Sequence, residues 1–246
     1  MPPLVLTFAA SDPTGGAGLQ ADLLTLAALG CHPLSVVTGI TVQDTRGVAS
    51  LDATDPGLVE RQATRLLAEL KVAAFKLGVL GSAQNARVIG AITAKQPRVP
   101  LVLDPVLASG RGDALAGDTV IDALLEELVP RATLATPNTL EARRLGGERA
   151  LIERGCKYVL VTGTHEATSD VVNTLYDARG RVREDRWPRL PGSYHGSGCT
   201  LASACAAHLA HGLEIGEAVR RAQEFTWQSL SAGFRPADGQ FIPWRK

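Results

Sequence analysis

Four small residues, Gly196, Ser197, Gly198 and Cys199, open a stretch of small and apolar residues that predicts a helix. The first backbone N–H groups of a helix have no partner within it and carry the positive end of its dipole, so they attract anions. Glycine lets a ligand approach the backbone closely. Because the dipole favours a thiolate, Cys199 is expected to have a lowered pKa. The run therefore predicts an anion site beside a thiol that could attack a substrate or take a proton from a hydroxyl group.

Two other interpretations of Cys199 stay open at this point. A hydrolase with a covalent thiol would need a histidine base, and His195 is only four residues away, but the neighbouring residues form no recognisable cysteine-protease signature. A small buried residue is the simplest alternative. That interpretation suits Cys205, inside the apolar stretch, better than Cys199.

Oxygen-bearing side chains follow two other apolar runs. Asp104 lies in the segment LDP, and Asn138 lies in the segment TPN with Glu141 three residues further on. Mg²⁺ prefers hard oxygen ligands and is usually shared with phosphates. Asp-Pro and Pro-Asn are also common turn pairs, and Asn138 with Glu141 would cap a helix. Without further context the structural interpretation is favoured.

A glycine-rich turn, residues 11–18 (SDPTGGAG), separates an apolar run from a helical pattern. It matches neither the P-loop, because no Lys-Ser or Lys-Thr follows, nor the dinucleotide pattern GxGxxG. A ligand site and a plain helix start explain it equally well. Asp22 is the only charge in the helical pattern that follows. Since a buried carboxylate is costly unless paired, Asp22 either faces solvent, which is favoured, or holds a polar group of a ligand.

Composition narrows the range of functions. The 246 residues contain 25 Lys and Arg against 25 Asp and Glu, so nothing favours binding to nucleic acid or to an anionic membrane. The start of the chain lacks the basic region of a signal peptide, and no apolar run approaches the roughly eighteen residues of a membrane span. Four scattered cysteines without zinc spacing are expected to be reduced thiols of a cytoplasmic protein. His208 and His211 share a helical face and are expected to be solvated.

The candidate site residues must be positioned by regular secondary structure. Apolar runs, which predict strands, alternate with helical patterns along most of the chain. Strands are predicted at residues 4–9, 34–39, 73–78, 100–105, 132–137 and 157–163, helices at 17–30, 56–70, 83–95, 113–129, 197–211 and 214–232, a short helix from Asn138, and a hairpin at 170–187. This alternation predicts an α/β fold with a mainly parallel sheet covered on both faces, in a single domain of residues 1–246. Ligands of such sheets bind at the carboxyl ends of the strands, where Asp104 and Asn138 lie.

Seven motifs together resemble a known family. In order they are AASDPTGGAGLQADLLTLAALG, TGITVQDTRGV, FKLGVLGS, VLDPVLASGRGD, TPNTLEA, VLVTGTHE and HGSGCTLASA. They are similar to the hydroxymethylpyrimidine/phosphomethylpyrimidine kinases of thiamine biosynthesis, in the ribokinase-like superfamily, and the likeness covers nearly the whole chain. It implies a ribokinase-like three-layer αβα sandwich, a homodimer, and transfer of phosphoryl from ATP, with Mg²⁺, to 4-amino-5-hydroxymethyl-2-methylpyrimidine and then to its monophosphate.

The resemblance also implies roles for individual residues. The backbone amides of Gly196, Ser197, Gly198 and Cys199 would form an anion hole for the transferred phosphoryl group, and Cys199 would activate the substrate hydroxymethyl group. The other matched positions are Ala10, Asp22, Gln43 and Val79 around the pyrimidine, Asp104 and Glu141 around Mg²⁺, and Asn138, Glu141, Thr162 and Gly163 on the phosphate and nucleotide side.

Three of these residues depart from the family pattern. Ala10 stands where glycine is usual, Val79 where methionine is frequent, and Thr162 where lysine is frequent; the segment 141–163 is also shorter. The first two changes would reshape the pyrimidine pocket. The alternative functions are therefore a pyridoxal or pyridoxine kinase of the same superfamily, and a non-catalytic relative that binds the pyrimidine or a nucleotide.

Overall fold

The apolar runs of the sequence form the strands of a central sheet. The computed structural model describes residues 1–109, 112–113 and 115–246. The strands within these residues are β1 (Leu4–Ser11), β2 (His32–Gln43), β3 (Val48–Ala53), β4 (Ala74–Leu77), β5 (Leu101–Leu103), β6 (Leu134–Ala135), β7 (Tyr158–Thr162), β8 (Asp170–Asp177) and β9 (Gly180–Pro188).

These strands form one sheet in the order β3-β2-β1-β4-β5-β6-β7-β8-β9. The strands from β2 to β7 in that order run parallel. At the two edges, β3 pairs antiparallel with β2, β8 with β7, and β9 with β8. The prediction of a mainly parallel sheet is confirmed, and the hairpin predicted at residues 170–187 is β8 and β9.

The helices of the described residues follow the predicted pattern closely. They are α1 (Gly18–Ala28), α2 (Pro56–Glu69), α3 (Ala83–Ala94), α4 (Asp118–Ala123), α5 (Thr139–Arg144), α6 (Gly147–Glu153), α7 (Ser197–Ala210) and α8 (Ile215–Ser231). Local capping explains several starts. Asp55 accepts a hydrogen bond from the Leu58 amide with Pro56 in the first turn of α2, and Ser82 caps α3 in the same way.

The two faces of the sheet bury separate apolar clusters. Successive side chains of β1 alternate between them, with Val5 on one face and Leu6 and Phe8 on the other. Helices α1, α7 and α8 cover the face of Val5, and α2, α3 and α4 cover the opposite face. The result is the predicted α/β architecture of three layers, with helices on both sides of the sheet.

The structure departs from the prediction in a few elements. Strand β2 continues to Gln43 and turns back as β3, a ribbon that the sequence analysis did not predict. The helix predicted at residues 113–129 begins only at Asp118, because Gly117 before it is extended, and it passes into a π-helical turn at Leu124–Leu128. Residue 114 lies outside the described part. His208, expected in solvent, is partly buried, whereas His211 is exposed.

None of the helices in the described residues is long and apolar enough to cross a membrane.

Candidate active site

A cavity of about 440 Å³ lies at the carboxyl ends of the parallel strands, between the glycine-rich turn, the start of α7 and the β8–β9 hairpin. Most of the residues predicted from the sequence line it. They are Ala10, Gln43, Val79, Asp104, Asn138, Glu141, Thr162, Gly196, Ser197, Gly198 and Cys199. The location matches the expectation for parallel sheets, in which ligands bind beyond the strand ends.

Two predicted residues, Asp22 and Gly163, do not line this cavity. The Asp22 carboxylate is fully buried and receives hydrogen bonds from Thr7 at 2.7 Å, Ser203 at 2.8 Å and the Lys76 ammonium group at 2.8 Å. It therefore does not face solvent, and that interpretation of Asp22 is corrected, whereas its assignment to the pyrimidine site stays a prediction. Every lone pair that it could offer a ligand is directed into the protein.

Gly163 has a packing role at the end of β7. Its amide donates to the Asn173 side chain at 3.1 Å, and a Cβ at Gly163 would collide with the Val172 carbonyl oxygen of the neighbouring strand. The packing explains why a glycine stands here, and the assignment of Gly163 to the nucleotide side stays a prediction. Thr162, immediately before it, is buried and lines the cavity.

The start of α7 keeps its amides free of side-chain caps. Gly196 takes a left-handed conformation, with φ +80°, and no side chain in the described residues caps this end of the helix. A Cβ at Gly196 would collide with the Gly16 carbonyl oxygen, so the glycine-rich turn and the helix start meet backbone to backbone. First-turn amides that face a cavity without a cap are suited to bind an anion.

Cys199 lies at this helix start, but the pKa of its thiol is raised rather than lowered. Burial raises the pKa of Cys199 to about 12. The Lys76 charge and the Gly18 amide lower this pKa, whereas the charges of Asp104 and Asp22 raise it. The prediction that the helix dipole lowers the pKa of Cys199 is therefore wrong, because the cost of burying the thiolate outweighs the effect of the dipole.

Asp104 and Glu141 form a pair of buried carboxyl groups on the cavity wall. One Asp104 oxygen, Oδ2, is buried with no hydrogen-bond partner in the described residues. Burial raises the pKa of Asp104 to about 6. The pKa of Glu141 is raised to about 8 by burial and by the nearby Asp104 charge. Two carboxyl groups that repel each other's negative charge, one with an oxygen that accepts no hydrogen bond in the described residues, are a donor set that suits a hard divalent cation.

The cation would need further ligands. The described residues contain no cluster of three or more His, Cys, Asp or Glu side chains that could hold a metal. Mg²⁺ is commonly bound by one or two carboxylates, with waters and substrate phosphates completing its octahedral shell. The pair at Asp104 and Glu141 therefore fits Mg²⁺ shared with a phosphate better than a closed structural metal site.

Asn138 fulfils its structural interpretation and also lines the cavity. Its Oδ1 accepts hydrogen bonds from the Leu140 and Glu141 amides, and Glu141 accepts one from the Asn138 amide, so the two residues form a capping box for α5. The same cap holds the Glu141 carboxyl group in place beside Asp104. The capping box that begins α5 therefore also positions Glu141, the candidate metal ligand.

The sequence analysis missed a polar cluster next to the predicted pyrimidine site. His195 Nε2 lies 2.8 Å from Asp12 Oδ2 and 3.1 Å from the Gln43 side-chain amide. Burial tends to raise the pKa of Asp12, but hydrogen bonds from His195, Thr14 and Ala17 bring it below its usual value. Because a carboxylate only accepts hydrogen bonds, the His195 Nε2 carries its proton towards Asp12. Asp12 and His195 both stood in quoted motifs, but nothing in the sequence showed that they meet.

The opposite end of the cavity has an aromatic wall. Trp187 and Trp227 line it with their ring centroids 6.4 Å apart. Nearby, Arg189 donates hydrogen bonds to the carbonyl oxygens of Thr164 and Thr168, which holds the loop after β7. An aromatic wall next to an ordered backbone loop offers a stacking surface for a flat base.

Comparisons with known proteins agree with this geometry. A family model described as phosphomethylpyrimidine kinase matches residues 12–243. A hydroxymethylpyrimidine/phosphomethylpyrimidine kinase of Streptomyces coelicolor is 39% identical, over 98% of this chain and 93% of that protein. Among solved structures, an ADP complex of Bacillus subtilis pyridoxal kinase superposes with a TM-score of 0.91 at 26% identity, covering 100% of this chain and 98% of that one. A phosphomethylpyrimidine kinase of Clostridium difficile gives 0.80 at 31% identity, covering 93% and 99%.

Proposed function

Because the chain belongs to the phosphomethylpyrimidine kinase family, we propose that it transfers phosphoryl groups from ATP to 4-amino-5-hydroxymethyl-2-methylpyrimidine and to its monophosphate, a step of thiamine biosynthesis. One observation carries the proposal: the uncapped start of α7, the Asp104–Glu141 pair and the Gln43 amide all face the same cavity. An anion hole, a cation site and a polar group for a substrate ring are therefore within one enclosed space.

The anion hole is the part that acts on the transferred group. Phosphoryl transfer requires positioning and charge stabilisation more than covalent chemistry. The amides of Ser197, Gly198 and Cys199 are fixed in direction by the helix, so they stabilise negative charge on the phosphoryl oxygens without rearranging during the reaction. Gly196 allows the tight approach of the glycine-rich turn that holds this helix start in place.

Asp104 and Glu141 would hold Mg²⁺ on the phosphate side of the cavity, with Asn138 fixing Glu141 through the capping box. When bound, Mg²⁺ neutralises charge on the phosphates. The two carboxyl groups must be ionised to bind it, and their raised pKa values mean that binding the cation releases protons near neutral pH.

Cys199 lies where it can contact the acceptor hydroxymethyl oxygen. A thiol with a pKa near 12 is protonated at neutral pH, so the ligand-free enzyme does not hold a ready thiolate. In a loose transition state the acceptor oxygen gains little charge before the phosphoryl group arrives. We therefore assign to Cys199 the orientation of the hydroxyl group. Only the thiolate could also accept the hydroxyl proton, so that step requires the thiol first to give its own proton to solvent, which the Lys76 charge favours.

Gln43, Ala10 and Val79 form the proposed pyrimidine side, and the Asp12–His195 pair lies next to it, with His195 Nε2 3.1 Å from the Gln43 side-chain nitrogen. Thr162 lies on the proposed nucleotide side with the tryptophan wall. We also propose that the protein is a cytoplasmic homodimer. Its four cysteines are free thiols, and the outer face of β2 exposes Ile40 and Val42 together, an apolar patch that a second copy would cover.

A side-by-side assay of ADP release tests the proposal, with the pyrimidine alcohol, its monophosphate and pyridoxal as separate acceptors. We expect turnover with both pyrimidines. Cys199→Ala is expected to lose about a hundredfold or more in kcat while its KM for the pyrimidine stays close to wild type, because the binding groups lie elsewhere. Cys205→Ala is the matched control, since Cys205 is buried in α7 away from the cavity. Turnover with pyridoxal alone would overturn the substrate assignment.

Pyridoxal kinase is the second candidate, and one observation favours it. The Bacillus subtilis pyridoxal kinase superposes more closely than the Clostridium difficile phosphomethylpyrimidine kinase, although the latter is more similar in sequence. Both acceptors are flat rings with a hydroxymethyl arm. The same assay separates the two candidates, and absence of any ADP release with all three acceptors would instead support a non-catalytic binding protein.

A further inference from the structure

Arg245 is a buried cation that the proposed mechanism does not use. Its side chain is nine-tenths buried, and the segment around it is tied to the rest of the fold by backbone hydrogen bonds, from the Trp244 amide to Ser229 and from the Ile242 amide to Phe234. Arginine is rarely this buried unless it is paired with a carboxylate or an anion. Its surroundings therefore need an explanation.

The guanidinium group joins the two backbone segments that meet at the anion hole. Nη2 donates a hydrogen bond to the Gly16 carbonyl oxygen at 2.6 Å, and Nε donates one to Thr200 Oγ1 at 2.9 Å. The Thr200 hydroxyl group in turn donates to the Gly196 carbonyl oxygen at 2.8 Å. Arg245 thus fixes the glycine-rich turn against the first turn of α7 from the side opposite the cavity.

The charge of Arg245 has no counter-ion in the part of the chain that the structure describes. Both of its polar contacts are neutral oxygens, and it forms no ion pair there. Burial lowers the pKa of Arg245, with the charges of Cys199, Asp22 and Asp12 acting in the opposite direction. Lys76, the other buried cation of this region, differs because Asp22 neutralises it at 2.8 Å. A buried guanidinium without a direct ion pair, beside helix amides that lack a cap, places positive charge next to the anion hole, and Asp12 and Asp22 act on it only from beyond ion-pair distance.

We propose that Arg245 is a positioning residue of the phosphoryl site, which holds the anion hole in shape and whose positive charge, free of a direct ion pair in the described residues, attracts the terminal phosphate of the nucleotide. This inference rests on the proposed kinase function but not on the identity of the acceptor. Arg245 does not line the cavity, so it acts through the Gly16 carbonyl, through Thr200 and through its electric field. A field of this kind acts on charged ligands and not on neutral ones.

Binding of a non-hydrolysable ATP analogue, compared with binding of adenosine, tests the proposal in the full chain. Arg245→Gln is expected to raise the Kd of the analogue about tenfold and to leave the Kd of adenosine nearly unchanged. Arg245→Lys keeps the charge but loses the fork geometry, so analogue binding is expected to stay close to wild type while kcat falls. Arg235→Gln is the matched control, because Arg235 is exposed, donates hydrogen bonds to the carbonyl oxygens of Asp238 and Gly239, and lies over the Phe241 ring.

Two results would overturn the proposal. One is an Arg245→Gln variant with wild-type binding of the analogue. The other is equal weakening of analogue and adenosine, which would mean that Arg245 only supports the fold. If Arg245→Gln does not fold, the Arg245→Lys variant decides instead: an unchanged kcat in that variant, or equal weakening of analogue and adenosine binding, would overturn the proposal. The acceptor assay fails or succeeds independently, since analogue binding does not depend on which alcohol is phosphorylated.

Discussion

Lys76 is the charged residue that connects the core of the protein with its cavity. It is fully buried on β4, with its ammonium nitrogen 2.8 Å from Asp22 and 4.0 Å from Asp104. Burial tends to lower the pKa of Lys76, but the charges of Asp22, Cys199 and Asp104 raise it above its usual value. The ion pair therefore stays charged inside the core, next to a carboxyl group and a thiol that face the cavity.

Breaking this pair from one side should destabilise the protein strongly. Lys76→Met leaves the Asp22 carboxylate buried without its cation, and the expected cost is about 3–5 kcal/mol of unfolding free energy. The double variant Lys76→Met/Asp22→Leu removes both charges and should recover a large part of that loss. Urea denaturation followed by circular dichroism measures both.

An exposed pair provides the control for this experiment. Arg149 and Glu153 are separated by one turn of α6 and are largely exposed, so Arg149→Ala should leave the denaturation midpoint nearly unchanged. A Lys76→Met variant as stable as wild type would contradict a stabilising role of the Lys76–Asp22 pair.

Single residues also show where prediction from the sequence stops. Asp22 was recognised as an unusual charge in an apolar helix, but its partners Thr7, Lys76 and Ser203 come from three other elements. The pKa of Cys199 was expected to fall because the helix dipole is visible in the sequence. The burial that raises it instead depends on tertiary packing, which the local pattern does not contain.

At the scale of elements, the site depends on a close contact between the glycine-rich turn and the start of α7. The sequence predicted both elements, and most of the site residues that it predicted line the cavity between them. It could not predict their contact, because 180 residues separate Gly16 from Gly196. The β2–β3 ribbon was missed for a related reason: β3 (VASLDA) is largely exposed at the edge of the sheet, without the buried alternation that marks a strand.

Adding one methyl group should disrupt this contact. In Gly196→Ala the new Cβ would collide with the Gly16 carbonyl oxygen, and φ +80° is itself strained for alanine, at a cost of about 1–3 kcal/mol from the backbone alone. We expect a lower thermal midpoint together with near-complete loss of kcat, because the anion hole shifts.

The control for this variant is another glycine to alanine change in a helix. Gly216 lies in the first turn of α8, has no positive φ, and leaves open space within 4 Å of the position that a new methyl group would take. Gly216→Ala should therefore keep full activity and be slightly more stable. Wild-type activity in Gly196→Ala would show that the helix start is not the phosphoryl site.

At the scale of the whole molecule, one sheet runs from Leu4 to Pro188, and α7 and α8 return to pack on it. This continuity supports the proposal that residues 1–246 form a single domain. The order of layers followed from the alternation of strand and helix patterns in the sequence. The surface that remains to be explained is the outer face of the β2–β3 ribbon.

The proposed homodimer makes a direct prediction about this face. Ile40 and Val42 are each 59% exposed, whereas Thr41 between them is buried against the cavity side, so two apolar side chains point away from their own subunit. Ile40→Asp/Val42→Asp should convert the protein to a monomer, measured as a halved mass by light scattering after gel filtration, because two charges would be buried in the interface.

The same reasoning specifies the control and the effect on the site. Val182→Asp introduces a charge at an exposed valine on β9, at the other edge of the sheet, and should leave the mass unchanged. Since Gln43 ends the same strand as Ile40 and Val42, loss of the partner should loosen the pyrimidine side and raise KM for the pyrimidine more than KM for ATP. A wild-type protein that elutes as a monomer at micromolar concentration would contradict the dimer. It would mean that β2 and β3 are held in place by contacts within one subunit.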